Sequence, residues 1–167
     1  VVTSLAHHDD LTIDQATDAL CDEKRCILKT NTNCSTFLGS WNFNFNSWKA
    51  LDLKKKYLLI KYEDLVNKKK STVIKVFKFL ENIGVKFNFD IIKLNKAIKS
   101  TDFEKMKSLE KKETFYEAVT DLKTGNRKVF FNLGPNNDWR RILDDKNREK
   151  IEKHFEKEMI ELGYLRL

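Results

Sequence analysis

Proline is nearly missing from this 167-residue chain, which has one, together with five glycines, three cysteines and three histidines. A single proline, Pro135, leaves no proline-rich tract and no convincing linker. No glycine-rich loop ending in Lys and Ser or Thr occurs, so the chain carries no phosphate loop of that kind. Cys21, Cys26 and Cys34 are odd in number and include no Cys-x-x-Cys pair, which argues against both a zinc site and a full disulfide framework. Reduced thiols in a cytoplasm are the simpler expectation. A Cys21–Cys26 bridge or a glycan at Asn33-Cys34-Ser35 would require a secreted chain. No signal peptide or membrane-spanning run is visible, so the expected setting is cytoplasmic, with no membrane partner. His7, His8 and His154 read as surface or helix residues, and no metal site is expected.

What is present is a protein core and a basic surface. Hydrophobic residues make up 41% and aromatic residues 11% of the chain, enough for one sizeable core and one domain over 1–167. Thirty-two Lys and Arg against 25 Asp and Glu give a net charge of +7. That balance suits an anionic ligand, nucleic acid or an acidic surface equally well. The lysines are scattered along helical stretches, however, and no aromatic RNA-binding signature or zinc-finger spacing accompanies them, so no nucleic-acid partner is expected. The chain opens at Val1 without a methionine and reads as the later part of something longer.

The organising stretch is Tyr57-Leu58-Leu59-Ile60-Lys61-Tyr62-Glu63-Asp64-Leu65. Its apolar beginning and abrupt polar end predict a buried parallel strand at about 57–62, followed by a helix from Ser71 to Ile83 that stops at Gly84. Strand, turn and helix form half of a βαβ unit, and ligands collect beyond the carboxyl ends of such strands, where Tyr62, Glu63 and Asp64 would stand. The plainer reading packs Tyr62 under the helix and lets Glu63 and Asp64 start it. Elsewhere the patterns predict helices over Val1 to His8, from an Asp14 cap through Leu20, Thr36 to Leu51 with an aromatic face, Ile91 to Ile98, from an Asp102 cap past Leu109, and Asp144 to Leu162. Residues 22–35 and 110–128 read as loops, and Val129–Phe131 as a short extended piece.

Five segments in order resemble the sulfotransferases that use 3′-phosphoadenosine 5′-phosphosulfate. Val1-Val2-Thr3-Ser4 looks like the end of that family's Arg-x-x-x-Asp-Val-x-x-Ser helix. Gly39-Ser40-Trp41 is similar to its Gly-Ser-Trp helix, with Asn44 where many members have His. Tyr62-Glu63-Asp64-Leu65 and Thr101-Asp102-Phe103-Glu104-Lys105-Met106-Lys107 match two further segments. Phe131 to Arg140 resembles the late motif that reads aromatic, Arg, Lys, Gly, two variable residues, Gly, Asp, Trp and a basic residue.

The resemblance implies the carboxyl-terminal portion of an α/β sulfotransferase domain built like a P-loop nucleotide kinase, mostly helical here with one core strand. It assigns Ser4 to the 3′-phosphate, Tyr62, Thr101, Phe103 and Met106 to the adenine, and Gly134 to close approach of the phosphate. A hydroxyl can donate to phosphate, and rings and thioethers pack on a purine. Helical spacing alone would make Phe103 and Met106 core residues. The implied cofactors are the phosphosulfate donor and its product, 3′-phosphoadenosine 5′-phosphate. The implied acceptor is a small molecule with a hydroxyl or amine. The family's phosphosulfate loop and catalytic His lie upstream of Val1, so no catalytic residue is expected here and the piece alone should be inactive and prone to self-association.

Two departures stand out: Asn132 and Leu133 replace the Arg and Lys of the late motif, and Asp144-Asp145 replace the Thr-Val of the family's dimer motif. The rival expectation is a non-catalytic helical module, either a degenerate sulfotransferase or a basic adaptor for an acidic partner or nucleic acid.

Overall fold

The computed structural model describes residues 1–28, 34–50, 57–112 and 124–166. The chain divides into two compact units, one of Val1–Lys55 with Asn137–Leu167 and one of Lys56–Asn136.

The first unit begins with α1 (Val2–His8) and α2 (Ile13–Cys21). Thr12, two residues before the expected cap, starts α2 with a reciprocal capping box: its hydroxyl accepts from Gln15 N, and the Gln15 side chain accepts from Thr12 N. Asp14 is thereby freed for another purpose. Within the predicted loop 22–35, Cys26–Ile27 (β1) pairs antiparallel with Thr36–Phe37 (β2), Cys26 opposite Phe37. That pairing delays the next helix, α3, to Trp41–Ala50. Buried Ser40 accepts from Phe43 N at 3.3 Å and so caps it. Residue 51, the expected end of this helix, lies outside the described residues.

After a short α8 (Trp139–Ile142), capped by Asp138, the expected single helix from Asp144 is two: α9 (Asp145–His154) and α10 (Glu156–Glu161). The interruption is Phe155, whose φ of −112° and ψ of 18° leave the helical region. Its ring is 1% exposed and meets Trp41 edge-on at 5.1 Å. Val2, Ala16, Phe155 and Leu162 are the buried apolar residues here.

Polar pairs join α2 to α9. Asn147 Nδ2 donates to Asp14 Oδ1 at 2.5 Å, Lys146 lies 3.3 Å from Asp14, and Lys150 pairs with Asp18. The Asn147 hydrogen bond, with Lys146 next, holds the Asp14 carboxyl below the ordinary carboxylate range. The Asp18 hydrogen bond raises the Lys150 ammonium. A lowered carboxylate stabilises the fold above its unfolded pKa and loses that contribution as pH falls through the folded value; a raised ammonium loses its contribution as pH climbs through its own. The thermal midpoint is therefore expected to fall below about pH 4, and Asp14→Asn should make that acid fall shallower. Identical acid limbs by calorimetry would remove Asp14 from the account.

The second unit carries α4 (Tyr62–Asn67), α5 (Lys69–Asn82), α6 (Ile91–Ser100) and α7 (Phe103–Lys111). The predicted strand at about 57–62 is corrected: residues 57–61 join no ladder, and Tyr62 opens a helix. A strand is defined by the backbone that pairs with it, and the described residues offer these none. Glu63 and Asp64 fall in the first turn of α4, where the positive end of the helix favours carboxylates. The plainer sequence reading of those two residues is the one observed. Thr72, buried in α5, donates to Lys68 O at 3.0 Å and to Asp64 O at 3.1 Å, tying α5 to α4. Phe77 packs against Phe87 and Phe89 at 5.0 and 5.3 Å.

Candidate nucleotide-binding site

Ser4 belongs to the first unit; Tyr62, Thr101, Phe103, Met106 and Gly134 belong to the second. Within the second, the structure brings Phe103 and Gly134 together. Asp102 caps α7 by accepting from Glu104 N at 3.1 Å, so Phe103 takes the first helical position and Met106 follows one turn on, both half-buried. Gly134 opens a 3-10 turn, Gly134–Asn136, with φ of +51°. A Cβ built on Gly134 would overlap the Phe103 ring. The glycine is thus required twice, for its left-handed backbone and for the ring that occupies the missing side chain's place.

Around that contact, Phe131 lies edge-on to Phe103 at 6.1 Å and Phe130 edge-on to Phe131 at 5.2 Å. The Lys107 ammonium is 5.7 Å from the centre of the Phe103 ring, within reach of a cation–π attraction. Asn132 is exposed and Leu133 half-buried. The extended piece expected at Val129–Phe131 is held by a different device: Glu110 accepts from Phe130 N at 2.5 Å and from Phe131 N at 3.0 Å. Composition places Glu110 in an exposed loop, yet it is buried in the last turn of α7. Of that loop, residues 113–123 lie outside the described residues.

Tyr62 is 60% exposed at the start of α4. Thr101 follows α6 and donates its hydroxyl to Ala97 O at 2.9 Å. In the first unit Ser4 is exposed on α1, whereas its neighbour Thr3 is buried and accepts from Asn137 Nδ2 at 2.6 Å. Asn137 stands at the second glycine of the late motif, and its buried Oδ1 has no hydrogen-bond partner among the described residues. Arg140 lies over the Trp139 ring at 4.6 Å. Among the described residues no group of His, Cys, Asp and Glu could hold a metal ion, and no helix is long and apolar enough to cross a membrane.

The sequence profile of the sulfotransferase domain matches residues 1–163. The chain belongs to the sulfotransferase family. This sulfotransferase chain is 31% identical over 123 residues to bovine (Bos taurus) sulfotransferase 1E1, covering 72% of the chain and 39% of that relative. Flavonol 3-sulfotransferase of Flaveria bidentis is 28% identical over 123 residues, covering 71% and 38%. Sulfotransferase 2A1 of Macaca fascicularis is 27% identical over 124 residues, covering 74% and 41%. The chain thus spans about two fifths of the length of the curated relatives it matches. No solved structure matches it. Membership carries with it the P-loop-like sulfotransferase fold, of which the described residues supply helices and one two-stranded ladder.

Proposed function

We propose that this sulfotransferase chain is the carboxyl-terminal part of a single domain whose complete form moves a sulfuryl group from 3′-phosphoadenosine 5′-phosphosulfate to a small-molecule hydroxyl or amine. The observation that carries the nucleotide half of this reading is the packing of Phe103 on Gly134, which brings residues of two separate motifs to one place. Phe103 and Met106 offer a ring and a thioether to a purine. The adjoining backbone of Asn132 to Gly134 faces the 3′-phosphate. Ser4 is carried to that phosphate by resemblance alone. The bound donor supplies the transferable sulfuryl group. In-line transfer also needs cationic clamping and a base, and these functions fall to residues outside this chain. The Flaveria relative is by name a flavonol sulfotransferase, which makes a flavonol the acceptor to try first.

Binding decides the matter before activity does. Calorimetry on the complete protein should show 3′-phosphoadenosine 5′-phosphate binding more tightly than adenosine 5′-phosphate. No preference for the 3′-phosphate would favour the non-catalytic module, a reading that the uncharged Asn132-Leu133 pair already supports. Asn132→Arg sharpens the test, because a guanidinium can give the phosphate two charge-assisted bonds. On an exposed residue the net gain should be about 1 kcal/mol, roughly fivefold in affinity, and should shrink as salt rises. Equal affinities of variant and parent for both nucleotides would place residue 132 away from the phosphate.

A further inference from the structure

Glu110 occupies an unfavourable position for a carboxylate. It lies in the last turn of α7, where the helix end carries partial negative charge, and is only 6% exposed. A buried anion is tolerated there only if donors answer it. The donors are the main-chain amides of Phe130 and Phe131, each meeting a different carboxylate oxygen. The same segment runs on through Asn132 and Leu133 to Gly134, where the Phe103 ring takes the place of a side chain. One helix therefore grips the segment on both sides of residues 132 and 133, with a carboxylate on the backbone before them and a ring on the glycine after them. An apolar side chain at position 110 could fill the volume without the cost of a buried charge, but it could not fix the directions of two amides.

We propose that Glu110 is a positioning residue that presets the Asn132–Gly134 backbone for the 3′-phosphate, an inference that rests on the nucleotide reading above. It acts through the amides of Phe130 and Phe131 and does not touch the nucleotide.

The test compares Glu110→Gln with the parent in the complete protein. A glutamine keeps the shape and one acceptor oxygen, but turns an NH2 group toward a backbone donor, so one of the two bonds is lost and the other is no longer charge-assisted. The expected result is a dissociation constant for 3′-phosphoadenosine 5′-phosphate raised roughly tenfold, with that for adenosine 5′-phosphate unchanged. Equal weakening of both nucleotides would make Glu110 a part of the fold only and overturn the proposal, as would no change in either. If the parent itself shows no preference for the 3′-phosphate, the nucleotide reading falls and this inference with it. Should the variant not fold, amide exchange in the parent gives the answer. Slow exchange at Phe130 and Phe131 before nucleotide is added supports presetting by Glu110; fast exchange that slows only on adding 3′-phosphoadenosine 5′-phosphate overturns it.

Discussion

Gly134→Ala is expected to destabilise the protein by about 2–5 kcal/mol, as the sum of two separable effects. A left-handed backbone at a residue with a Cβ costs roughly 1–2 kcal/mol, and the new methyl group must displace the Phe103 ring, an overpacking cost of about 1–3 kcal/mol. The background Phe103→Ala separates them. With the ring removed, the methyl group has room, so the glycine substitution should then cost only the backbone share of roughly 1–2 kcal/mol. Urea denaturation of the four proteins in the cycle measures this directly. An equal cost in both backgrounds would mean that Phe103 does not fill the space beside Gly134, and the candidate site would lose its centre.

The second large effect is at Phe155, whose replacement by alanine should cost about 3–5 kcal/mol, the range for emptying a fully buried aromatic site. The ring is 1% exposed between Trp41 and the turn that separates α9 from α10. Its loss should also change the near-ultraviolet circular dichroism of Trp41, because the edge-on partner at 5.1 Å is gone. A Phe155→Ala protein that melts with the parent would show that this ring is not the centre of its unit.

Helices were legible where a cap and a periodic face agreed. The Asp102 cap is legible in the sequence and accepts the expected backbone hydrogen bond, and the helix expected from Asp144 begins there, with Asp144 accepting from Asn147 N. The first helix, Val2–His8, and the one ending just ahead of Gly84 are legible from their periodic faces, the second also from its terminating glycine. What could not be read depends on partners far away in sequence. The stretch at 57–61 has a strand's composition, but composition does not provide a neighbouring backbone. Phe155 continues the apolar stripe of the last helix, so nothing local signals that its burial coincides with a break. Glu110 looked like one more charge on a solvated run, since only the amides twenty residues later explain it. Phe103 and Gly134 belong to different motifs of the resemblance, and neither motif contains their contact. Asn137 carries a signal in the sequence, an amide at a glycine position of the motif, and it is bonded to Thr3.

The pairing of α2 with α9 also bears on the order in which the protein can be assembled. Asp14 and Asn147 are 133 residues apart, so a ribosome adding about 5–20 residues per second exposes α2 roughly 7 to 27 s before its partner is made. The segment Lys56–Asn136, by contrast, is contiguous and has its own helices and aromatic contacts. It can begin to fold while synthesis continues. During that interval α2 can pack against α1, but α9, the helix its Asp14 and Asp18 pair with, does not yet exist. Slowing translation between residues 56 and 145 would lengthen the time for which Asp14 and Asp18 wait for their partners.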